Sequence, residues 1–456
     1  MGRLHVTGTS KWFALALIVA LGSCSGVQSS TPNGTSGRAA SPLSAKIQHV
    51  VVMIQENRSF DDFFTTFPGA VGATQGLMKT STGDVYVPLK EAGLNSDSLG
   101  HSHFSFKKEF DNGKMDGFAE IERDLGHGKE VPAGTYAYRY VNPDQISQYW
   151  AMAKEYVLAD HMFTTQSSDS FTAHQDFIAG GTPAGNQGDN IIDFPVPAAW
   201  GCNAPSGTVT NLITPLGHEE FDKGPFPCFS YKTLRDLLDA KGVSWRYFTN
   251  KDPNGEWDAY DAISAVYNGS EWKTNIVIPE TQVLDYVDSS ELPAVSWVIP
   301  DSVTSDHPSQ IQDQGPAWVA SVVNAIGESP YWDSTVVIVV WDEWGGEYDN
   351  VPPPQLDGQG LGMRVPMLIV SAYDKETSAS QPGYISHTQY EDGSVLKFIE
   401  HNWNLGSLGT SDARATSIAD CFDFSQKPRP FVPIAKSYSR SYWKHYKVSS
   451  APIDEY

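Results

Sequence analysis

The chain has 456 residues, and its 54 acidic and 31 basic side chains give a formal net charge of −23 at pH 7. Such an acidic surface argues against nucleic acid as a partner, and it repels anionic ligands wherever positive charge is not concentrated locally. The length exceeds that of a typical domain, yet only one low-complexity stretch interrupts it, near the N-terminus. This predicts a single large domain over residues 45–456.

The N-terminal residues are predicted to be an export signal followed by a tether. An apolar run over residues 12–21 follows two basic residues, is too short to span a membrane, and is typical of a signal peptide over residues 1–23. Small residues directly before Cys24 resemble a bacterial lipobox, so we expect a lipidated Cys24 that anchors an exported protein in the cell envelope. An ordinary secretory signal is the alternative. Residues 24–44 are rich in Ser, Thr, Gly and Pro, which indicates a flexible tether.

The body of the chain alternates strand-like and helix-like patterns. Apolar runs typical of strands buried on both faces lie over residues 47–54, 294–299, 335–341 and 365–370. Helical spacing of apolar side chains marks residues 234–238, 318–326 and 395–403. This alternation predicts an α/β fold, doubly wound, with a mainly parallel central sheet and helices on both faces.

Polar side chains follow all four of these strand-like runs. Glu56 and Asn57 come shortly after the first run, and His307 lies downstream of the second. Asp342 and Glu343 come directly after the third run, and Ser386 and His387 lie downstream of the fourth. Because the carboxyl ends of parallel strands meet at one edge of a sheet, we expect these side chains to converge there. Buried acids are costly unless they are paired or bind a metal, so the pattern predicts a cation site. For the acids after the third run, two solvated loop residues are the alternative.

Residues 183–290 differ from the rest of the body, because they are rich in Gly, Pro, Asn and aromatic residues and have weak periodicity. We expect an inserted cap or lid here, whose aromatic side chains either line a substrate pocket or pack within the insertion. Cys202 and Cys228 flank a loop in this region and are able to pair in an oxidising compartment, which would leave Cys421 free. The spacing of the cysteines leaves the pairing open.

Several longer motifs resemble one known family. They lie at residues 55–61, 113–118, 305–308, 341–346, 351–354, 364–366 and 386–390. In this order they are similar to the bacterial phosphoesterase family of phospholipases C and Francisella-type acid phosphatases, within the alkaline-phosphatase-like superfamily. The resemblance runs from about residue 47 to residue 424, and it implies an alkaline-phosphatase-like sheet and hydrolysis of phosphate esters.

The resemblance also implies a metal site. Glu56, Asn57, Asp342 and Glu343 would bind one divalent ion, together with the hydroxyl of Ser170, which would be the nucleophile and pass through a phosphoserine. Oxygen donors favour Ca²⁺, Mg²⁺ or Mn²⁺, and the sequence does not choose among them.

The position of the nucleophile depends on the register of one segment. Alignment of the predicted helix start places Ser170 at the family's nucleophile position. A slip in register would select another nearby hydroxyl: Thr164, Thr165, Ser167, Ser168 or Thr172. Many relatives carry Pro-Asn where this chain has Thr172 and Ala173, which leaves open whose substrate preference applies.

Histidines complete the site by resemblance. His307 would contact the phosphate and donate a proton to the leaving group, and His101 matches a family histidine upstream of the motif at residues 113–118. His174 and His387 are weaker candidates, and His387 is also explained as a residue that holds local structure. A histidine pair of the acid-phosphatase branch has no counterpart between residues 245 and 278.

These features give a main functional hypothesis and two alternatives. The main hypothesis is phospholipase C-type cleavage of a phosphodiester, with a phospholipid as a fitting substrate for a membrane-anchored protein. The first alternative is an acid phosphatase acting on phosphomonoesters. The second is an inactive surface lipoprotein that binds ligands through its aromatic residues. The sequence does not set the oligomeric state.

Overall fold

The computed structural model describes residues 45–126, 128–185, 190–196, 201–250, 256–309, 314–378, 380–435 and 437–449. The predicted signal peptide, Cys24 and the predicted tether lie outside these residues. Among the helices of the described ranges, none has both the length and the apolar character needed to cross a membrane.

A nine-stranded sheet forms the centre of the molecule. Its strands are β1 (His49–Gln55), β2 (Val157–Phe163), β3 (Trp245–Phe248), β4 (Ile276–Val277), β5 (Val295–Val298), β6 (Thr335–Trp341), β7 (Arg364–Ser371), β8 (Tyr384–Ser386) and β9 (Tyr390–Glu391). The order across the sheet is β4-β3-β5-β1-β6-β7-β2-β8, and β9 also pairs with β2. Only β7 runs antiparallel to its neighbours in this sheet. The predicted mainly parallel sheet is confirmed.

Strands β1 and β6 form the middle of this sheet. They pair in register over their whole length, from His49 opposite Thr335 to Gln55 opposite Trp341. Their Val and Ile side chains are buried on both faces, as expected for a parallel sheet covered by helices. Because the two strands end side by side, the acids that follow them start from neighbouring positions.

Helices cover both faces. The helices in the described ranges are α1 (Phe60–Phe64), α2 (His103–Phe110), α3 (Ser147–Glu155), α4 (Ser170–Ala179), α5 (Leu234–Lys241), α6 (Ser264–Tyr267), α7 (Glu271–Thr274), α8 (Val283–Asp288), α9 (Gly315–Gly327), α10 (Asp392–Trp403), α11 (Ser411–Arg414) and α12 (Arg440–Lys444). Trp341 on β6 packs edge-on against Tyr149 of α3, with ring centroids 4.9 Å apart. Trp297 on β5 donates to the Phe177 carbonyl of α4 at 3.3 Å.

The strand register shows that these two contacts lie on opposite faces. Val52 pairs with both Trp297 and Ile338, so all three side chains point the same way. Trp341 is three residues beyond Ile338 and therefore points to the other face. The doubly wound arrangement predicted from the alternating pattern is confirmed.

A second hydrophobic cluster lies beside the sheet, in the segment between α1 and α3. Small two-stranded sheets frame it: Gln75–Met78 with Val85–Pro88, Lys90–Ala92 with Arg139–Val141, and Glu122–Asp124 with Glu130–Pro132. Phe118 and Tyr138 pack there with Trp344 and Tyr348 from the loop after β6. Trp344 also donates to Glu109 of α2 at 2.7 Å. This segment therefore holds the loop that carries the acids after β6.

The segment 183–290 differs from the expected single inserted cap. It contributes β3 and β4 to the edge of the central sheet, where Trp245 and Tyr247 are buried in the core. A separate antiparallel sheet of Ile191–Val196, Val209–Ile213 and Glu219–Glu220 occupies its first part. The edge strands are only four and two residues long, too short to give a clear apolar run. Cys202 and Cys228 form a disulfide, and Cys421 is buried and free.

Arg364, the first residue of β7, is a buried cation that links several elements. Its Nε lies 3.1 Å from both carboxylate oxygens of Asp349, and its Nη2 lies 3.3 Å from Asp61 of α1. Its Nη1 donates to the carbonyls of Val71 and Asp160, at 2.7 and 2.9 Å. One guanidinium therefore holds α1, β2 and β7 together.

Replacing Arg364 with Met should lower the free energy of unfolding by about 3–5 kcal/mol, because two buried carboxylates lose their cation. Urea denaturation followed by circular dichroism measures this. Arg440→Met is the matched control, since Arg440 pairs with Asp288 at the surface, and it should cost at most about 1 kcal/mol. Equal losses in the two variants would contradict the assigned role of Arg364.

Candidate active site

Backbone hydrogen bonds join three strand ends at one edge of the sheet. Asp342 donates its N–H to the Gln55 carbonyl at 2.9 Å, directly beyond the paired ends of β1 and β6. Glu56 donates its N–H to the Ser305 carbonyl at 2.8 Å, in the loop that follows β5. Arg58 donates its N–H to the Glu343 carbonyl at 2.9 Å. The predicted convergence is present for the first three runs. It is wrong for the fourth, because β7 runs antiparallel to its neighbours and its carboxyl end lies at the opposite edge.

Glu56, His174 and Asp342 form a fully buried cluster at this edge. The Nε2 atom of His174 lies 2.9 Å from Glu56 Oε1 and 4.0 Å from Asp342 Oδ2. One ligand atom from each residue lies within 4.8 Å of the others. Glu56 Oε2, Asp342 Oδ2 and His174 Nδ1 have no hydrogen-bond partner. Buried carboxylate oxygens without partners are what a bound cation would satisfy, so these residues fit a metal ion.

Asn57 connects this cluster to the proposed nucleophile. Its N–H donates to Asp342 Oδ1 at 2.8 Å, its Oδ1 accepts from Ser170 Oγ at 3.3 Å, and its Nδ2 lies 3.3 Å from His101 Nε2. Its φ of +55° is a left-handed conformation that Asn tolerates better than most residues. Gly345 packs against it, and a Cβ at Gly345 would lie 2.4 Å from the Asn57 carbonyl oxygen. The backbone around Asn57 is therefore fixed.

Glu343 and two histidines lie on the other side of Asn57. Glu343 Oε2 accepts from the Gly345 N–H at 2.7 Å, and its Oε1 lies 3.9 Å from His101 Nε2. The rings of His101 and His307 have centroids 6.4 Å apart. His307 donates from Nδ1 to the Pro308 carbonyl at 2.6 Å, so proton exchange at this ring would occur at Nε2. His101 therefore lies beside Glu343, and His307 lies beside His101.

Ser170 is the first residue of α4 and is buried. Its hydroxyl donates to Asn57, whereas the five alternative hydroxyls donate elsewhere. Their acceptors are Gln166 O for Thr164, Glu391 for Thr165, Gln359 O for Ser167, Asp193 for Ser168 and Asp169 O for Thr172. Among these six hydroxyls, the one of Ser170 donates to Asn57, and the Asn57 N–H in turn donates to Asp342.

Burial dominates the electrostatics of the cluster. Desolvation raises the pKa of Glu56 and of Asp342 well above the usual carboxyl range, and for Asp342 the neighbouring Glu56 carboxylate raises it further. Desolvation, followed by the charge of Asp342, raises the pKa of Glu343. Burial lowers the pKa of His174 to about 4. The site holds an excess of negative charge in a dry environment, which a divalent cation would offset.

His174, a weaker candidate from the sequence, lies in the buried cluster with Glu56 and Asp342. It lies one helical turn after Ser170 on α4, and residues four apart share a helix face. This spacing indicates from the sequence alone that His174 and Ser170 lie on the same face of α4. His387 is not part of this group, since its Nδ1 contacts Asp160 in the outer part of the sheet.

A model of the Phosphoesterase family matches residues 47–406, and the chain belongs to this family. The resemblance stated from the motifs is confirmed. The family match supports a hydrolase that acts on phosphate esters.

The chain is similar, at low sequence identity, to curated proteins named as phospholipases C. The chain is 25% identical to a non-hemolytic phospholipase C of Pseudomonas aeruginosa, over 85% of this chain and 59% of that protein. It is 24% identical to phospholipase C B of Mycobacterium tuberculosis, over 85% of this chain and 80% of the relative. It is also 24% identical to a non-specific phospholipase C1 of Arabidopsis thaliana, over 86% and 74% of the two chains. The chain thus spans less than two thirds of the Pseudomonas relative.

Solved structures that are similar to this chain include a protein of the alkaline phosphatase superfamily from Vibrio parahaemolyticus. The match has a TM-score of 0.38 and 11% sequence identity, and it covers 84% of this chain and 73% of that chain.

The raised pKa of Asp342 makes the stability of the metal-free protein depend on pH. A group whose pKa is raised by folding contributes stability at low pH and loses that contribution as pH rises through the raised pKa. In EDTA, the free energy of unfolding of the wild type relative to Asp342→Asn should fall from about pH 4 upward, by up to about 1.4 kcal/mol per pH unit. Urea denaturation across pH 4–8 measures it.

The control for this measurement is Asp84→Asn, which changes an exposed acid and should leave the pH profile of the wild type unchanged. A saturating divalent metal should remove the fall with pH. Parallel profiles for the wild type and Asp342→Asn in EDTA would show that folding does not raise the pKa of Asp342.

Proposed function

We propose that the chain is a metal-dependent phosphoesterase that cleaves phosphodiesters in the manner of a phospholipase C, through a phosphoserine at Ser170. The observation that carries this proposal is the contact of the Ser170 hydroxyl with Asn57, beside buried acids whose oxygens lack partners. The phospholipase C names of the relatives support the diester over the monoester. A lipidated Cys24 would place the enzyme at a membrane surface.

The metal site would be built from both sets of residues. Glu56, Asp342 and His174 form its closest cluster, and Asn57, Glu343 and Ser170 extend it toward the substrate. A divalent cation bound here would act as a Lewis acid and lower the free energy of negative charge on the reacting oxygens. An imidazole among oxygen donors extends the candidate ions from Ca²⁺, Mg²⁺ and Mn²⁺ to Zn²⁺.

The reaction follows from the placement of the chain's own groups. Ser170 Oγ loses its hydroxyl proton to solvent and forms a bond to phosphorus, and the bond between phosphorus and the leaving alcohol oxygen breaks. His307 would donate the proton that the departing oxygen takes up, and His101 would hydrogen-bond a phosphate oxygen. Water then hydrolyses the phosphoserine, which restores the Ser170 hydroxyl and releases the phosphorylated product.

Asn57 has a positioning role in this scheme. Its side-chain oxygen accepts the Ser170 hydroxyl and its backbone is bonded to Asp342, so it sets the distance between nucleophile and cluster. The concentrated negative charge of the cluster also explains why an acidic protein would need a cation before it binds a phosphate ester.

Two chromogenic substrates separate the substrate classes. p-Nitrophenylphosphorylcholine is a phosphodiester, whereas p-nitrophenyl phosphate is a monoester. Higher kcat/KM on the diester is the expected result, and a preference for the monoester would replace the proposal with an acid phosphatase. Failure to hydrolyse either ester with any divalent metal would favour the inactive ligand-binding lipoprotein.

Ser170→Ala should reduce kcat on the phosphodiester by at least about 10³-fold, because it removes the nucleophile. Ser167→Ala is the matched control, since Ser167 donates to the Gln359 carbonyl and should retain most of the activity. Steady-state kinetics on metal-saturated enzyme measures both. Wild-type rates in Ser170→Ala would show that another group attacks phosphorus.

His174→Ala should weaken metal binding on the order of tenfold or more, because it removes a donor from the buried cluster. Isothermal titration calorimetry of EDTA-treated protein with Mn²⁺ and with Zn²⁺ measures the change. His218→Ala, at an exposed position, is the control and should bind like the wild type. Unchanged affinity for both ions in His174→Ala would exclude the histidine as a ligand.

A further inference from the structure

A second group of metal-ligating side chains lies away from the proposed active site. Asp160 and His161 are in the middle of β2, and His387 lies between β8 and β9. His161 Nδ1 is 2.7 Å from Asp160 Oδ1, and His387 Nδ1 is 2.9 and 2.8 Å from the two Asp160 oxygens. One ligand atom from each residue lies within 4.8 Å of the others. Strand β7 lies between β2 and β6 in the sheet. This group is therefore distinct from the cluster of Glu56, His174 and Asp342 at the ends of β1 and β6.

A β-bulge brings the two adjacent side chains of β2 together. Val365 of β7 pairs with Met162, whereas Met367 pairs with Ala159. Asp160 and His161 therefore both lie opposite the single residue between them on β7. Consecutive residues in a regular strand point to opposite faces, and a bulge re-aims one of them. This explains how neighbouring residues offer ligand atoms to the same point.

On the other side of β2, pairing is interrupted between β8 and β9, opposite the bulge. Strand β8 pairs Ser386 with Ala159, and β9 pairs Tyr390 with Met162. The three residues between these strands loop out beside the bulge, and His387 is the first of them. The gap in pairing on one side of β2 and the bulge on the other thus bring three ligand groups close together.

The three side chains differ in burial. The Asp160 side chain is fully buried and also accepts the Val71 N–H at 2.9 Å, while its backbone carbonyl is held by Arg364. The side chains of His161 and His387 are 26% and 56% exposed, so solvent reaches the imidazoles. One fixed carboxylate and two accessible imidazoles leave room for water ligands.

We propose that Asp160, His161 and His387 form a second metal site, which binds a borderline divalent transition metal of the Zn²⁺ class and serves stability. Two imidazole nitrogens and one carboxylate suit Zn²⁺, Co²⁺, Ni²⁺ or Cu²⁺ better than Ca²⁺ or Mg²⁺. Metal–ligand bonds of about 2.0–2.1 Å require ligand atoms somewhat over 3 Å apart, so each contact need open by only about 0.5 Å. The bound ion would fasten the segment from β8 to β9 onto β2.

Metal stoichiometry tests this site. EDTA-treated protein is dialysed against a slight excess of Zn²⁺, and bound zinc is counted by mass spectrometry for the wild type, His161→Ala, His387→Ala and the exposed control His218→Ala. The site predicts one equivalent less in each cluster variant and no loss in the control. Equal zinc in all four proteins would overturn it, and would show that the imidazoles only hydrogen-bond Asp160.

Hydrogen exchange on the wild type gives a second measurement that needs no variant to fold. Zn²⁺ at ten times its Kd should slow amide exchange in residues 157–163 and 384–391 on the order of tenfold, because opening of this segment must release the ion. Exchange in these residues that does not change with Zn²⁺ would overturn the proposal. Zinc bound at the carboxyl edge alone would protect residues 56–57 and 342–343 instead, so the outcome does not depend on the proposed enzymatic function.

Discussion

The burial of carboxylates at the carboxyl edge of the sheet is the constraint on which this structure depends. Strands β1 and β6 are stable because their Val and Ile side chains exclude water from both faces. The same exclusion strips water from Glu56, Asp342 and Glu343 where the strands end, and raises their pKa values. The apolar core and the demand for a cation are therefore two results of one arrangement.

The same constraint fixes the geometry of the site. Acids that repel one another would separate if their backbone were free, yet the paired ends of β1 and β6 hold Glu56 and Asp342 together. Asn57 adopts a left-handed conformation between them, and Gly345 allows the close approach that this requires. The cluster beside the sheet then packs on Trp344 and stiffens the loop behind the acids. Rigid positioning of this kind is what a preorganised catalytic site needs.

The sequence allowed reliable prediction of the elements that follow from one strong pattern. The long apolar strands and the acids directly after them were visible, because burial and topology alone determine them. The sequence did not indicate β3 and β4, because these strands are short and lie within a segment of weak periodicity. They form by pairing at the edge of the sheet. The sequence did not place His174 beside Glu56 and Asp342, because that proximity depends on where α4 packs against the sheet. The cluster around Phe118 and Trp344 joins residues far apart in sequence.

An acidic residue that follows a buried strand and one that lies within a buried strand indicate different local structures. Asp342 follows an apolar run, and the topology of a parallel sheet explains why such a residue faces a site. Asp160 interrupts an apolar run, where a regular strand would leave a carboxylate unpaired in the core. The chain resolves this with a bulge on β2 and a break between β8 and β9, which bring His161 and His387 to the carboxylate. A charged residue inside a buried strand therefore indicates a local irregularity in pairing, and the partners gathered at that irregularity are the residues to examine for ligand binding.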